Sequence, residues 1–200
     1  FRSVGLAPDE VVPCPSAPQR KAALRRAVLE SVSAMTPEVR ASKSQRIARH
    51  LASLETFKQA RTVMAYIAME MEADPWPVIR EAWEQDKRIV LPRIHPPLDE
   101  PRVPYVHDRV LQARLLRPEA VDDPREHTGL RADVVGILEP KNSAPEVPVS
   151  ELDLVLVPCV AYDRKGFRLG KGGGFYDRFL AQPAFRGRTC GLAFSEQVFA

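Results

Sequence analysis

Glycine is scarce in this 200-residue chain, at 10 positions, and no uninterrupted apolar run exceeds residues 63–69. A membrane-spanning helix needs roughly 20 apolar residues, so no membrane partner is expected. Cysteine is limited to Cys14, Cys159 and Cys190, an odd and scattered set without CxxC spacing. That argues against a disulfide framework or a zinc site and for buried thiols in a reducing compartment, hence a cytoplasmic protein. There is no basic segment followed by an apolar stretch, so no secretory signal is read; the chain also lacks an initiator Met. Disorder is excluded by a composition of 44% hydrophobic and 28% charged residues with a net charge of only +3. What remains is a globular chain with two oddities. Proline is abundant, at 19 positions, and five of the ten glycines (166, 170, 172, 173 and 174) crowd into nine residues. A glycine-poor protein that gathers its glycines in one place needs special backbone geometry there.

Residues 1–15 read as an irregular lead-in broken by prolines, and residues 16–200 as a single α/β domain. Ser16 and Gln19 form a capping-box pattern. Leu24, Val28, Val32 and Met35 give the helix that follows an apolar stripe. Thr36 and Pro37 cap a second helix with Val39, Ile47, Leu51 and Leu54 as its expected inner side. Residues 62–67 and 88–91 read as strands around a helix that starts at Asp74-Pro75, which is a βαβ unit and implies a parallel sheet. Ten prolines between 92 and 148 argue against long helices there and for short extended pieces near 103–106, 115–116 and 134–139. Residues 152–157 (LDLVLV) are the strongest strand, followed by the glycine cluster, a helix near 173–181 and a strand near 189–194.

A glycine-rich segment that leaves a parallel strand and enters a helix suits an anionic ligand, most often phosphate. Arg164, Lys165, Arg168, Lys171 and Arg178 surround it with positive charge, and Asp177 is placed to hold Mg²⁺ beside a polyphosphate. The segment is neither a Walker loop, since Gly172 stands where Ser or Thr is required, nor a dinucleotide fingerprint. The plainer alternative is a flexible basic turn capping a helix. Residues 20–58 carry nine Lys/Arg against three Glu. Within that stretch Lys21 and Arg25 fall on or beside the apolar stripe of the first helix, so they either snorkel over the core rim or reach an anion near the glycine loop. The four histidines (50, 95, 107 and 127) have no ligand spacing and read as surface or loop residues.

Residues 168–177 (RLGKGGGFYD) resemble the RLGxGxGxYD loop of the 5-formyltetrahydrofolate cyclo-ligase family, also called 5,10-methenyltetrahydrofolate synthetases. Other family segments are matched in order: residues 21–25 (KAALR), 66–74 (YIAMEMEAD), 91–93 (LPR), 137–140 (ILEP), 154–158 and 191–194 with Gln197. The resemblance implies a three-layer α/β/α domain of the Rossmann-like type also seen in NagB, RpiA and CoA transferases. It implies an enzyme that cyclises 5-formyltetrahydrofolate to 5,10-methenyltetrahydrofolate with ATP and Mg²⁺. Lys21 and Arg25 would contact ATP, and Arg168 and Lys171 would be the catalytic cations. The 170–174 backbone (Gly170, Gly172, Gly173 and Gly174 among it) would hold phosphates, with Asp177 on the metal. Glu72 would bind the folate, and Met69, Phe175 and Tyr176 would line its pocket, Phe175 and Tyr176 also touching the nucleotide. Glu139 reads as structural. The family pattern runs on past Gln197 to a further acidic residue associated with metal, so the domain is expected to lack its C-terminal end at Ala200. A monomer without nucleic-acid partners is expected. A folate- or nucleotide-binding protein without turnover and a basic RNA-binding module are the alternatives; salt-sensitive RNA binding through residues 20–58 would mark the latter.

Overall fold

The first helix begins where its spacing predicts. The Ser16 N–H donates to Gln19 Oε1 at 2.7 Å while the Gln19 N–H donates to Ser16 Oγ at 3.4 Å, satisfying two helix-end donors. The computed structural model describes residues 16–96, 108–133 and 136–199. The expected lead-in at 1–15, the extended segment at 103–106, residues 134–135, Cys14 and His107 lie outside them.

Helix α1 (Ala17–Ser33) buries Val28 and Val32, with Leu24 and Met35 packed beside them. Helix α2 (Pro37–Ser53) is capped by Thr36, but its buried side is Ser44, Ala48 and Leu51. Val39 and Leu54, expected inside, are 42% and 36% exposed. Small residues let α2 lie close to its neighbour, and the Ser44 hydroxyl accepts from the Asp74 N–H at 3.0 Å, a use that an apolar pattern cannot reveal. Helix α3 (Glu55–Gln59) adds Phe57, and α4 (Trp76–Glu84) buries Trp76, Val78, Ile79 and Ala82.

Five strands make the central sheet: β1 (Thr62–Met64), β2 (Arg88–His95), β3 (Val110–Leu116), β6 (Leu154–Val157) and β9 (Arg188–Gly191). Their order is β3-β2-β1-β6-β9. The β2–β1, β1–β6 and β6–β9 pairs are parallel, and β2–β3 is antiparallel. The expected α/β fold with a mostly parallel sheet is therefore present. Strand β2 is longer than the 88–91 stretch expected and takes in the whole LPR segment. At Pro92 the strand has outrun its pairing with β1, which ends at Met64–Val90, so the missing N–H costs no bond on that side. Strands β4 (Leu130–Ala132) and β5 (Leu138–Pro140) pair separately. Strands β7 (Ala161–Asp163), β8 (Arg168–Leu169) and β10 (Val198–Phe199) form a small sheet in the order β10-β7-β8.

Alternation along the strands divides the core in two. Val63, Ile89, Leu91, Leu154 and Leu156 face the α1–α4 layer. Met64, Val90, Val155 and Val157 face Phe179 of the short α5 (Phe175–Leu180), with Val147 and Leu152. The two helical layers are thus unequal, and connecting segments supply much of the second.

Two internal braces join motifs that are separate in sequence. Arg93 is 3% exposed; it donates to the Pro140 carbonyl at 2.8 Å and pairs with Glu139 at 3.3 Å. Arg131 also reaches Glu139, at 2.9 Å, so Glu139 is structural as expected. Gln197 is 2% exposed; it donates to the Cys159 and Val160 carbonyls at 3.2 Å and accepts from the Phe194 N–H at 2.9 Å. His127 corrects the surface reading. It is 4% exposed, packs against the Trp76–Trp83 pair at ring distances of 6.1 and 5.8 Å, and accepts through Nδ1 from the Gly129 N–H at 2.9 Å. Its Nε2 accordingly carries the proton and donates to the Arg117 carbonyl at 3.0 Å.

Packing also explains Gly191. A Cβ there would come within 2.3 Å of the Tyr162 ring. Gly191→Ala is expected to lower stability by about 1–3 kcal/mol, the usual cost of overpacking, read from urea denaturation midpoints.

Candidate active site

The glycine segment does not leave the central strand directly, as the sequence suggested. After β6 the chain forms the β7–β8 hairpin, whose turn places Arg164 and Lys165 at an exposed tip. Gly166 (φ +90°) belongs to that turn. The Asp163 carboxylate accepts from the Lys165 and Phe167 N–H groups at 2.8 Å each. The remaining four clustered glycines form the loop from β8 to α5, with Gly172 at φ +110° and Gly174, the α5 cap, at φ +63°. At Gly172 the left-handed conformation, not space, is what glycine provides, for nothing lies within 4 Å of a Cβ built there; at Gly174 a Cβ would also come within 3.0 Å of Arg178 Nη1. No main-chain N–H from 170 to 174 has a hydrogen-bond partner among the described residues.

Helix α1 meets this loop. The half-buried Arg25 donates through Nε to the Gly170 carbonyl at 2.9 Å, so it reaches the glycine loop and does not merely snorkel. Lys21, one helical turn earlier on the same side, is exposed. Arg168 pairs with Asp177 across the loop, and the Asp177 side chain is 74% exposed. Arg178 does not serve as a free loop cation: its guanidinium donates to the Gly173 and Arg109 carbonyls at 3.0 and 3.1 Å.

The segment after β1 supplies the opposite wall. The Tyr66 hydroxyl donates to the Ala73 carbonyl at 2.7 Å, which holds the 66–73 turn. Within it Glu72 accepts from the Met69 N–H at 3.0 Å. The Glu72 carboxylate, only 9% exposed, also pairs with Lys171 Nζ at 2.7 Å. That ammonium lies 2.8 Å from Met69 Sδ, so the two predicted loops touch. Met69 itself is 41% exposed, and Phe175 and Tyr176 are half-buried on α5. The Tyr176 hydroxyl is buried without a hydrogen-bond partner among the described residues, an unused donor and acceptor beside Glu72. Burial, with the Glu72 charge next, pushes the Tyr176 and Tyr66 phenols well above their ordinary range.

A hard cation beside a polyphosphate needs one or two carboxylates, phosphate oxygens and water. Asp177 fits as one such donor. Among the described residues no group of three or more His, Cys, Asp or Glu is gathered to hold a metal alone. Cys159 donates to the Ala161 carbonyl at 2.8 Å, and burial pushes its thiol up to about 11. Because the thiolate is the reactive form, Cys159 is expected to stay unmodified by iodoacetamide at pH 8 in the folded protein and to react once it is unfolded, as read by peptide mass mapping.

Sequence reasoning overlooked Tyr66, although it lies in a quoted segment, and misassigned Arg178. Nothing local distinguishes an arginine that holds carbonyls from one that waits for an anion.

The sequence model of the 5-formyltetrahydrofolate cyclo-ligase family matches residues 17–200. The 5-formyltetrahydrofolate cyclo-ligase of Haemophilus influenzae is 31% identical over 163 residues, 81% of this chain and 78% of that protein. Its Escherichia coli counterpart is 30% identical over 147 residues, 74% of this chain and 72% of that one. Among solved structures, the Aquifex aeolicus 5,10-methenyltetrahydrofolate synthetase superposes with a TM-score of 0.68 at 30% identity, covering 90% of this chain and 80% of that one. The Mycoplasma pneumoniae 5,10-methenyltetrahydrofolate synthetase, at 19% identity and a TM-score of 0.64 over 90% of this chain and 88% of that one, shares the fold.

Proposed function

This chain belongs to the 5-formyltetrahydrofolate cyclo-ligase family, and on that premise we propose that it converts 5-formyltetrahydrofolate and ATP to 5,10-methenyltetrahydrofolate, ADP and phosphate. The observation that carries this reading is the 2.7 Å contact between Glu72 and Lys171. It brings the carboxylate assigned to folate against a cation assigned to phosphate, so a formyl group held on one side meets a γ-phosphoryl group held on the other.

The chemistry follows from the substrate. A formamide oxygen leaves poorly, so it first attacks the γ-phosphorus of ATP and ADP departs. The folate's N10 then attacks the activated formyl carbon and loses its proton. The C–O bond breaks, phosphate leaves with the former formyl oxygen, and the ring is closed. No protein nucleophile is needed.

In this scheme the 170–174 N–H groups, Lys21 and the free ends of Arg25 bind the polyphosphate. Arg168 and Lys171 stabilise the charge that builds on the transferring group. Glu72 accepts from the pterin's N–H donors once Lys171 turns to phosphate, and the Tyr176 hydroxyl gains a partner in the bound folate. Asp177, now paired with Arg168, would be the carboxylate to hold Mg²⁺, and the ion would supply neutralisation of phosphate charge.

Mixing the protein with ATP, Mg²⁺ and 5-formyltetrahydrofolate is expected to give the methenyl absorbance together with ADP. Binding of both ligands without absorbance would instead favour a binding protein that lacks turnover.

A further inference from the structure

The glycine loop is gripped at both ends by arginines that take its carbonyls. Arg25 Nε holds the Gly170 carbonyl at 2.9 Å, and Arg178 Nη1 holds the Gly173 carbonyl at 3.0 Å. In a planar trans peptide the C=O and the following N–H point in opposite directions. Drawing these two carbonyls towards protein therefore turns the N–H groups of Lys171 and Gly174 away from it. A loop of four glycines has little conformational preference of its own, so its shape has to be imposed from outside.

Arg178 is built for that task. Its second terminal nitrogen donates to the Arg109 carbonyl just before β3, at 3.1 Å. Its guanidinium sits 5.2 Å from the Phe175 ring centroid. Its main-chain N–H also donates to the Gly174 carbonyl at 3.1 Å. Both terminal nitrogens are committed to carbonyls, and Nε is buried away from solvent. The side chain is therefore fixed between the loop, α5 and the edge of the central sheet.

We propose that Arg178 is a positioning residue, which by clamping the Gly173 carbonyl to the segment before β3 aims the Gly174 N–H at the bound phosphates. This rests on the reading of the loop as a phosphate cradle. A guanidinium can bridge two carbonyls and stack on a ring at once, and a lysine ammonium cannot.

The test is equilibrium titration of the whole chain with ATP and Mg²⁺, with steady-state kinetics and melting curves alongside. Arg178→Ala is expected to weaken ATP roughly tenfold, the effect of one lost hydrogen bond to an anion, and to raise KM for ATP in step. The KM for 5-formyltetrahydrofolate should stay as it was. Arg178→Lys should resemble Arg178→Ala, and free guanidinium ion at millimolar concentration should restore part of the ATP affinity of the alanine variant. Unchanged ATP affinity in a variant with only a lower melting temperature would overturn the proposal, leaving a merely structural brace. Full affinity in Arg178→Lys alongside loss in Arg178→Ala would also overturn it, showing a simple charge on phosphate. Failure of the unmodified chain to bind ATP would overturn the phosphate reading and this proposal with it.

Discussion

Arg168→Ala is expected to lower kcat for methenyl formation by roughly 10³, with kcat/KM falling by a similar factor. The side chain is 24% exposed and faces Asp177, whereas Lys171 is 50% exposed. Charge that is less screened by water stabilises a developing phosphoryl charge more strongly, so Arg168 carries the larger share and Lys171→Ala the smaller. An arginine placed on a transferring phosphoryl group commonly contributes a factor of this size. Arg168→Lys keeps the charge but loses the planar fork, and is expected to recover only part of the loss. Initial rates from methenyl absorbance at varied ATP test this. A rise in KM with kcat intact would mean that Arg168 binds the ground state and the transition state equally and adds nothing to the chemical step.

Glu139→Leu is expected to cost about 3–5 kcal/mol of stability, because it leaves a buried guanidinium unpaired. Arg93 is only 3% exposed and its carboxylate partner 8%, so water cannot replace Glu139. Arg131, 40% exposed, can turn to solvent and contributes little to the loss. For a chain of this length that cost corresponds to a melting temperature lower by roughly 10 °C. ATP affinity of the folded variant is expected to be retained, because the partners of Glu139 among the described residues, Arg93 on β2 and Arg131 on β4, lie outside the glycine loop. A melting temperature within a degree of the unmodified chain would show that the pair is not held in the core.

Both predictions concern residues whose types the sequence displayed and whose partners it did not. The capping box at Ser16, the stripe through Val28 and Val32, and the apolar strands read at 62–67 and 152–157 were legible because local spacing governs them, although the strands themselves are shorter, at Thr62–Met64 and Leu154–Val157. So was the glycine loop, since positive φ at Gly172 and Gly174 demands that residue type. Strand β2 was only half visible: Pro92 and Arg93 look like a strand end until β3 is known to pair beyond them. The inner side of α2 was half legible: Leu51 is buried and Ile47 packs against the core as expected, but Ser44 and Ala48 complete that side while Val39 and Leu54 face outward. His127 lies in a loop as read but not at the surface, because its burial against the Trp76–Trp83 pair depends on chain segments far apart. In the site, the residue types were legible from the motifs. The contacts of Arg25 with Gly170, Lys171 with Glu72 and Arg178 with Gly173 were not, since each joins a long side chain to a place that only the fold determines.

The central claim is that the formyl oxygen is phosphorylated and leaves as phosphate. The most direct measurement follows that atom. 5-Formyltetrahydrofolate labelled with oxygen-18 in its formyl group is converted with unlabelled ATP, and the inorganic phosphate is examined by mass spectrometry. One labelled oxygen in each phosphate, with one ADP for each methenyl product, is the expected result. Methenyl product formed while the label appears in water and the phosphate stays unlabelled would contradict the account.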